Sequence, residues 1–384
     1  MKLLMITGYG GSDLAQGKKG AFYNTLEEFH KYWERIDILC PAVATTNYSL
    51  PTTNYFGNVY IHPSPWPLWL QPWWILKKGL EILKTTNYQL STINYLMTVH
   101  EFPPFYNGIG ARLLWNKIKV PYVLEIHHIP GYPKAAGFKE RLYKFAVRLF
   151  IKYDAAKAAA VRVVNQRQVP EFLIKAGVPQ DKIAYLPSFY IDLEIFRPMP
   201  DVEKKYDLVF AARLEKNKGI GLLLRAMSNV KTQMPNVKLL IVGVGPLLED
   251  LKLETRNYKL ETNVIFSGWL ETSNDVARAY NSAKLFINPS LNEGGPRTVL
   301  EGMACGLPII TTRVGLMPDI IKNGENGFFA DWNPYSMADR ISHLLYSDNL
   351  QKQFSFAGLA LVKQFEKKTA IKNYAERIHE LATI

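Results

Sequence analysis

Cysteine is nearly absent: Cys40 and Cys305 are the only two in 384 residues. That excludes a disulfide-stapled scaffold and suits a reducing compartment. No apolar run approaches the roughly 18 residues that a spanning helix needs, and the opening stretch Met1 to Thr7 meets glycine too soon to be read as a signal peptide. Neither an Asp-x-Asp pair nor a His/Cys cluster with ligand spacing occurs, so no metal site is expected. Charged residues are scarce, 21% against 48% hydrophobic, a balance that excludes a disordered chain. Acidic residues are outnumbered, giving a net charge of +12, which suits nucleic acid, an anionic membrane or phosphorylated ligands. Zinc spacings, RNA-recognition aromatics and basic tails are all missing, so a nucleic-acid-binding protein is the weaker reading and no nucleic acid is expected.

What is present is an alternation of short apolar runs with amphipathic stretches, in a chain long enough for two domains. Runs at Leu3 to Ile6, Ile36 to Cys40, Asn58 to His62, Leu96 to His100, Val120 to Ile126, Ala160 to Val164 and Ile183 to Pro187 predict one parallel sheet. A second block has its strands near Asp207, Val237, Val264, Leu285, Ile309 and Gly327. Between the blocks, residues 188–205 with Pro187, Pro198 and Pro200 read as a linker. The division expected is 1–190, linker 191–205, 206–369, and a final helix 370–384.

The most informative stretch runs from Asn292 to Pro308. A buried strand ends at Pro289, a turn with Gly294 and Gly295 follows, and Pro296 sits where a first helical residue tolerates it. Glu293 then lies in the loop and Glu301 in the helix. Eight helical steps would part the two carboxylates by roughly 12 Å, a span that suits the two ends of one extended polar ligand. The helix N-terminus between them offers free N–H groups to an anion. A nucleotide sugar, with a diol, a diphosphate and a hydroxylated ring, fits that description; two solvated surface glutamates are the plain alternative. Arg213 and Lys218, on the loop after the first strand of the second block, are placed to converge on a diphosphate.

The Glu-x7-Glu spacing of Glu293 and Glu301, with Arg213, Leu214, Lys218 and Gly219 as Arg-Leu-x-x-x-Lys-Gly, resembles the retaining glycosyltransferases of the GT-B fold, in the large group 1 division grouped as glycosyltransferase family four. Ala212 stands where that family commonly has glycine. The resemblance implies an α/β fold of two Rossmann-like, doubly wound parallel-sheet domains facing across a cleft, the first for the acceptor and the second for the donor. It implies that Glu301 accepts from ribose hydroxyls, that Glu293 faces the donor sugar, and that Gly294 and Gly295 bring N–H groups to it. His127 corresponds to the family's loop histidine, with His128 adjacent and the register between them open. Asp192 with Phe196 corresponds to the family's linker motif. The substrate implied is a UDP- or GDP-sugar, with no further cofactor, and basic residues are expected to stand in for a metal. The acceptor is expected to be a glycan or lipid-linked, in surface polysaccharide or glycolipid synthesis; a soluble glucan or sucrose-type transferase is the alternative.

Five further features are read from the residues. Gly10 and Gly11, after the first strand, form a glycine-rich loop expected beneath the acceptor or the diphosphate. Gly243 and Gly245 are read as a close-approach turn near the nucleotide, and Gly268 as passing near the base. A seven-residue Thr-x-Asn-Tyr unit occurs in tandem at 45–58 and again at 85–98, read as duplicated surface insertions. Four of the eight tryptophans fall at Trp66, Trp69, Trp73 and Trp74, either core or an interfacial platform. Residues 134–162 carry eight basic side chains against two acidic ones, over Phe138, Leu142, Phe145, Leu149 and Ile151. That pattern is a cationic amphipathic helix, and with the tryptophans it is expected to meet an anionic membrane surface. A cytoplasmic protein, peripheral on the inner face of the cell membrane, is the expected location.

Overall fold

The computed structural model describes residues 1–42, 52–84, 95–187 and 189–381. Two sheets organise it. The first contains β1 (Lys2–Ile6), β2 (Arg35–Cys40), β3 (Thr53–Tyr55), β4 (Val59–Pro63), β5 (Tyr95–His100), β6 (Tyr122–Ile126), β7 (Ala160–Val163) and β8 (Ile183–Tyr185). Their order is β3-β4-β2-β1-β5-β6-β7-β8, and every pair is parallel except β3 with β4. The second contains β9 (Tyr206–Ala211), β10 (Leu239–Val242), β11 (Val264–Gly268), β12 (Ala283–Asn288), β13 (Ile309–Thr311) and β14 (Phe328–Phe329), in the wholly parallel order β11-β10-β9-β12-β13-β14.

Both faces of each sheet are covered, which is why these strands read as continuous apolar runs. In β1, Leu4 and Ile6 join one core and Leu3 and Met5 the other. In β9, Leu208 and Phe210 divide from Val209 and Ala211 in the same way, as alternating Cβ directions require. In each sheet the strand order reverses beside the first strand, between β1 and β5 and between β9 and β12. Ligands of such sheets bind in the crevice at the carboxyl ends of the strands flanking that reversal.

In the first half the helices are α1 (Tyr9–Ala15), α2 (Ala21–Phe29), α3 (Gln71–Lys84), α4 (Tyr106–Ile118), α5 (Phe138–Ala155) and α6 (Gln168–Lys175). The last helix, Lys367–Leu381, lies on the first sheet's side: Tyr374 stacks on Phe29 at 5.1 Å and His379 on Trp33 at 4.0 Å. Its approach is fixed by Ile191 N donating to Phe365 O at 2.7 Å. Nearby, Phe196 N donates to Asp192 O at 2.8 Å, so the Asp-x-x-x-Phe segment is a turn that buries the Phe196 ring.

Two expectations are corrected. Gly10 and Gly11 lie inside α1, not in an open loop. A Cβ on Gly11 would stand 2.4 Å from Thr7 Oγ1 and 2.7 Å from Cys40 Cβ, so its glycine lets α1 close on the sheet. The unit at 52–58 is more than a surface insertion. It supplies β3, Tyr55 OH reaches Leu14 O at 2.8 Å, and Asn58 Nδ2 serves His30 O and Trp33 O. The units at 45–51 and 85–91, and part of the one at 92–98, lie outside the described residues. Both cysteines are buried, and burial pushes each thiol up to about 12. They are packing residues and not nucleophiles.

Candidate active site

The loops leaving β9 and β12, at the reversal point of the second sheet, are built into each other. Gly219 takes a left-handed φ of 71°, and a Cβ there would stand 2.1 Å from Pro289 O. Leu291 N donates to Asn217 O at 2.7 Å. Lys218 is thereby delivered to Glu293, with Nζ 2.5 Å from Oε1, and Ser290 Oγ lies 3.0 Å from the same oxygen. Arg213 is exposed, paired with Glu215 at 3.3 Å, and lines the central cavity between the domains. Arg213 and Lys218 share one loop, each held by its own carboxylate. Gly243 and Gly245 are a close-approach turn, but what approaches is protein: Cβ atoms there would stand 2.1 Å from Ala212 O and 2.6 Å from Leu214 N. They shape the Arg213 loop from behind. Gly268 ends β11 at φ 74°, its carbonyl accepting from Gly243 N at 2.9 Å.

Glu301 lies in the helix Arg297–Ala304, preceded by Pro296 in extended conformation at the N-cap, one residue outside the expected start. Val299, Leu300 and Met303 bury the helix, and Gly302 passes beneath the Phe286 ring. The Glu301 carboxylate accepts from Tyr280 OH at 3.2 Å and lies 3.1 Å from Arg297 Nε. Burial raises its pKa above the usual carboxylate range, with Arg297 and Tyr280 acting against the rise. It is held as an acceptor, its geometry fixed from two sides.

Across the cleft, β6 delivers His127 and His128. Arg162, fully buried on β7, donates from Nη1 to Glu125 Oε1 at 2.9 Å and lies 3.1 Å from His127 Nε2. Tyr374 OH adds a bond to Glu125 at 2.6 Å, and Arg162 Nε donates to Leu186 O at 2.8 Å. A guanidinium only donates, so Nε2 of His127 is the acceptor and its proton sits on Nδ1. Burial holds His127 neutral, its pKa lowered further by His100 and Arg162; the His100 ring, 4.2 Å away, is lowered by burial to about 4. His128 is lowered by burial too, with Lys218 adding to the fall and Glu293 and Glu140 opposing it.

The two halves meet at these loops. A Cβ on Gly294 would stand 2.0 Å from His127 O, and Asn165 Nδ2 donates to Gly294 O at 3.2 Å. Asn292 Nδ2 donates to Lys134 O and Glu140 Oε2, each at 2.9 Å, and Gln168 bridges Arg313 O and Gly315 N. Gly295 lies against the Phe189 ring. The cavity at this junction measures about 610 Å³, and Gly10, Gly11, His127, His128, Arg213 and Tyr143 are among its lining.

Residues 192–359 match the family described as glycosyl transferases group 1. That segment resembles the group 1 glycosyltransferases, and the chain has the GT-B fold. The chain is 28% identical over 264 residues to the sulfoquinovosyl transferase of Arabidopsis thaliana, an alignment covering 64% of the chain and 48% of that relative. Thus the chain spans about half of that relative's length. It is 25% identical over 317 residues to the alpha-monoglucosyldiacylglycerol synthase of Streptococcus pneumoniae, covering 79% of the chain and 68% of the relative. Among solved structures, Anabaena HepE in complex with UDP and glucose superposes with a TM-score of 0.72 at 17% identity, over 99% of the chain and 100% of the other. At that identity the likeness speaks of fold alone.

The sequence-expected residues fall into three places. Glu293, Gly294, Lys218 and Arg213 meet around the cleft with His127; Glu301 lies one helical turn behind; Gly268 stands at the carboxyl end of β11. Arg162, Glu125, His100, Tyr374, Tyr280 and Asn292 were not anticipated. One signal for the first pair was present: an Arg and a Glu inside apolar strand runs, which turn out to be register partners in β6 and β7.

Proposed function

We propose that this chain transfers a sugar, with retention of configuration, from a UDP- or GDP-sugar to a hydroxyl of a glycan or lipid-linked acceptor. The observation that carries the reading is the contact of Gly294 with the His127 carbonyl, which sets the Lys218–Glu293 pair against the histidine loop across one cleft. Glu301, held by Tyr280 and Arg297, accepts from the ribose diol. Glu293 orients the sugar, with the N–H groups of Gly294 and Gly295 beside it, and Gly268 flanks the base. Lys218 and Arg213 meet the diphosphate, aided by the free N–H groups of the helix Arg297–Ala304, and no metal is called on.

In the transfer, the bond from the anomeric carbon to the diphosphate oxygen breaks and a bond to the acceptor oxygen forms. The acceptor proton passes to the departing diphosphate. Negative charge grows on that leaving group, and fixed cations aimed at it supply the largest catalytic contribution. His127, neutral and protonated on Nδ1, is a hydrogen-bond donor to a sugar hydroxyl. The acceptor lies in the first-domain cavity over Gly10 and Gly11. The aromatic lining from Tyr9, Phe22, Phe102 and Tyr143 favours a lipid-linked acceptor over a free glycan.

Residues 1–190 thus form the acceptor domain, 191–205 the linker and 206–369 the donor domain, with the last helix returning to the first. The protein works in the cytoplasm on an anionic membrane surface, through 134–162 and the exposed Trp69 and Trp73. The test is release of free UDP or GDP from a panel of nucleotide sugars, with and without membrane lipid extract. Extract-dependent release supports the reading. Lack of release from every donor in the presence of extract rejects it.

A further inference from the structure

Helix α5 is amphipathic the wrong way round for a soluble protein. Val147, Ile151 and Ala155 are buried against the sheet. The opposite side shows Phe138, Leu142, Phe145 and Leu149, spaced i, i+4, i+7 and i+11 along one stripe. All four are exposed, Phe138 by 74% and Phe145 by 62%. A stripe of this size left to water on one helix marks a binding surface. Arg141, Lys144, Arg148 and Lys152 flank the stripe on one side.

Beside it, between α5 and α6, is a cavity of about 400 Å³. Arg141, Lys144 and Arg148 line it, together with Tyr132 and Phe172, whose rings touch at 5.3 Å. Among the described residues no acidic side chain forms an ion pair with those three cations, whereas the fourth cation of the cavity, Lys175, is held by Glu171 at 2.5 Å. Phe145 belongs both to the cavity and to the exposed stripe. Three unpaired cations around a partly aromatic hollow, opening beside an apolar stripe, complement a molecule with a compact anion joined to hydrocarbon.

We propose that this cavity binds the phosphate of an anionic phospholipid in a bilayer, while the Phe138, Leu142, Phe145 and Leu149 stripe enters the acyl boundary of the same leaflet. The proposal deepens the membrane-surface reading above by assigning the headgroup a site. Two kinds of contact, apolar and cationic, are what stable surface binding takes. The arrangement also connects to the reaction site: Tyr143, on the same helix, lines the central cavity, so a bilayer held against α5 lies beside the acceptor's place.

The test is co-sedimentation of the full chain with vesicles of phosphatidylcholine alone and of phosphatidylcholine mixed with phosphatidylglycerol. It needs no turnover, so its failure is distinct from failure of the transferase reading. Wild type is expected to bind the mixed vesicles and leave the neutral ones in solution. R141Q/K144Q/R148Q is expected to bind about a hundredfold more weakly, at ~1 kcal/mol for each surface cation. L142S/F145S/L149S is expected to lose binding as well. The control R256Q/K259Q/K352Q, equal in charge but on the second domain, is expected to keep it, and thermal melting confirms that each variant folds. Equal binding to neutral vesicles, equal loss in the control, or full retention in the first triple variant overturns the proposal. So does saturable binding of soluble glycerol phosphate without any vesicle binding, which would make the cavity a free-anion site.

Discussion

Lys218 Nζ lies 2.5 Å from Glu293 Oε1, joining the loops that leave β9 and β12. Both side chains are mostly buried, so neither charge is well solvated without its partner. In the proposed reaction a diphosphate entering the cleft competes with Glu293 for the ammonium and leaves Glu293 free to turn to the sugar. Lys218→Ala is therefore expected to lower kcat by a hundredfold or more, and Lys218→Arg to restore part of it. Steady-state release of nucleoside diphosphate measures both. An alanine variant within threefold of wild type would remove Lys218 from the mechanism.

Gly294 separates domain closure from donor binding. Its α-carbon faces the His127 carbonyl with no room for a methyl group. Gly294→Ala should push the two loops apart, lowering kcat/KM by more than tenfold while the Kd for the free nucleoside diphosphate changes little. Comparing turnover with a nucleotide titration checks this; parallel loss of both would place Gly294 at the nucleotide and not at the domain contact.

The protonation of His127 gives a pH prediction. Burial, His100 and Arg162 keep its pKa well below the ordinary value, so it is neutral throughout the physiological range. The kcat/KM profile between about pH 6 and 8 should contain no limb that His127→Asn removes. An ionisation near the ordinary histidine value of about 6.5, abolished in that variant, would instead make His127 an acid or base.

A second pH effect concerns stability. A Cβ on Gly108 would stand 2.1 Å from Glu101 Oε2 and 2.6 Å from Asp154 Cγ, so the two carboxyls share one buried pocket. Burial raises both, Asp154 to about 7 with Arg112 opposing, and Glu101 further through Asp154. Carboxyls whose folded-state pKa exceeds the unfolded one bind more protons when folded, so stability is greatest below about pH 4 for this pair and is lost as pH rises through about 7. Other groups add their own slopes, and Asp154→Asn isolates this one. Relative to wild type, the variant's melting temperature should gain several degrees between pH 5 and pH 8. An unchanged difference across that range would refute the claim that burial raises the Asp154 carboxyl.

Much of the fold was legible because parallel strands covered on both faces leave unbroken apolar runs, as at Leu3 to Ile6 and Val237 to Val242. β3 was not, because its stability comes from pairing with β4 and from Tyr55, not from its own composition. The second-domain part of the candidate site was legible because Arg213 and Lys218 share one loop, and Glu293 and Glu301 span the next loop and its helix at fixed spacing. The first-domain part was hidden: Glu125, Arg162, His100 and Tyr374 are distant in sequence, and only the sheet register and the returning last helix bring them together. The apolar residues of α5 were legible as a periodic pattern, but periodicity cannot say which side faces water. The structure turned the stripe at Phe138 and Phe145 outward and left Ile151 in the core.

The most direct measurement is a calorimetric titration of UDP- and GDP-sugars into wild type, Glu301→Ala and Lys218→Ala. Saturable binding of one donor to wild type is expected, weakened at least tenfold in each variant with folding retained. Unaltered affinity in both variants would contradict the claim that these residues grip the donor.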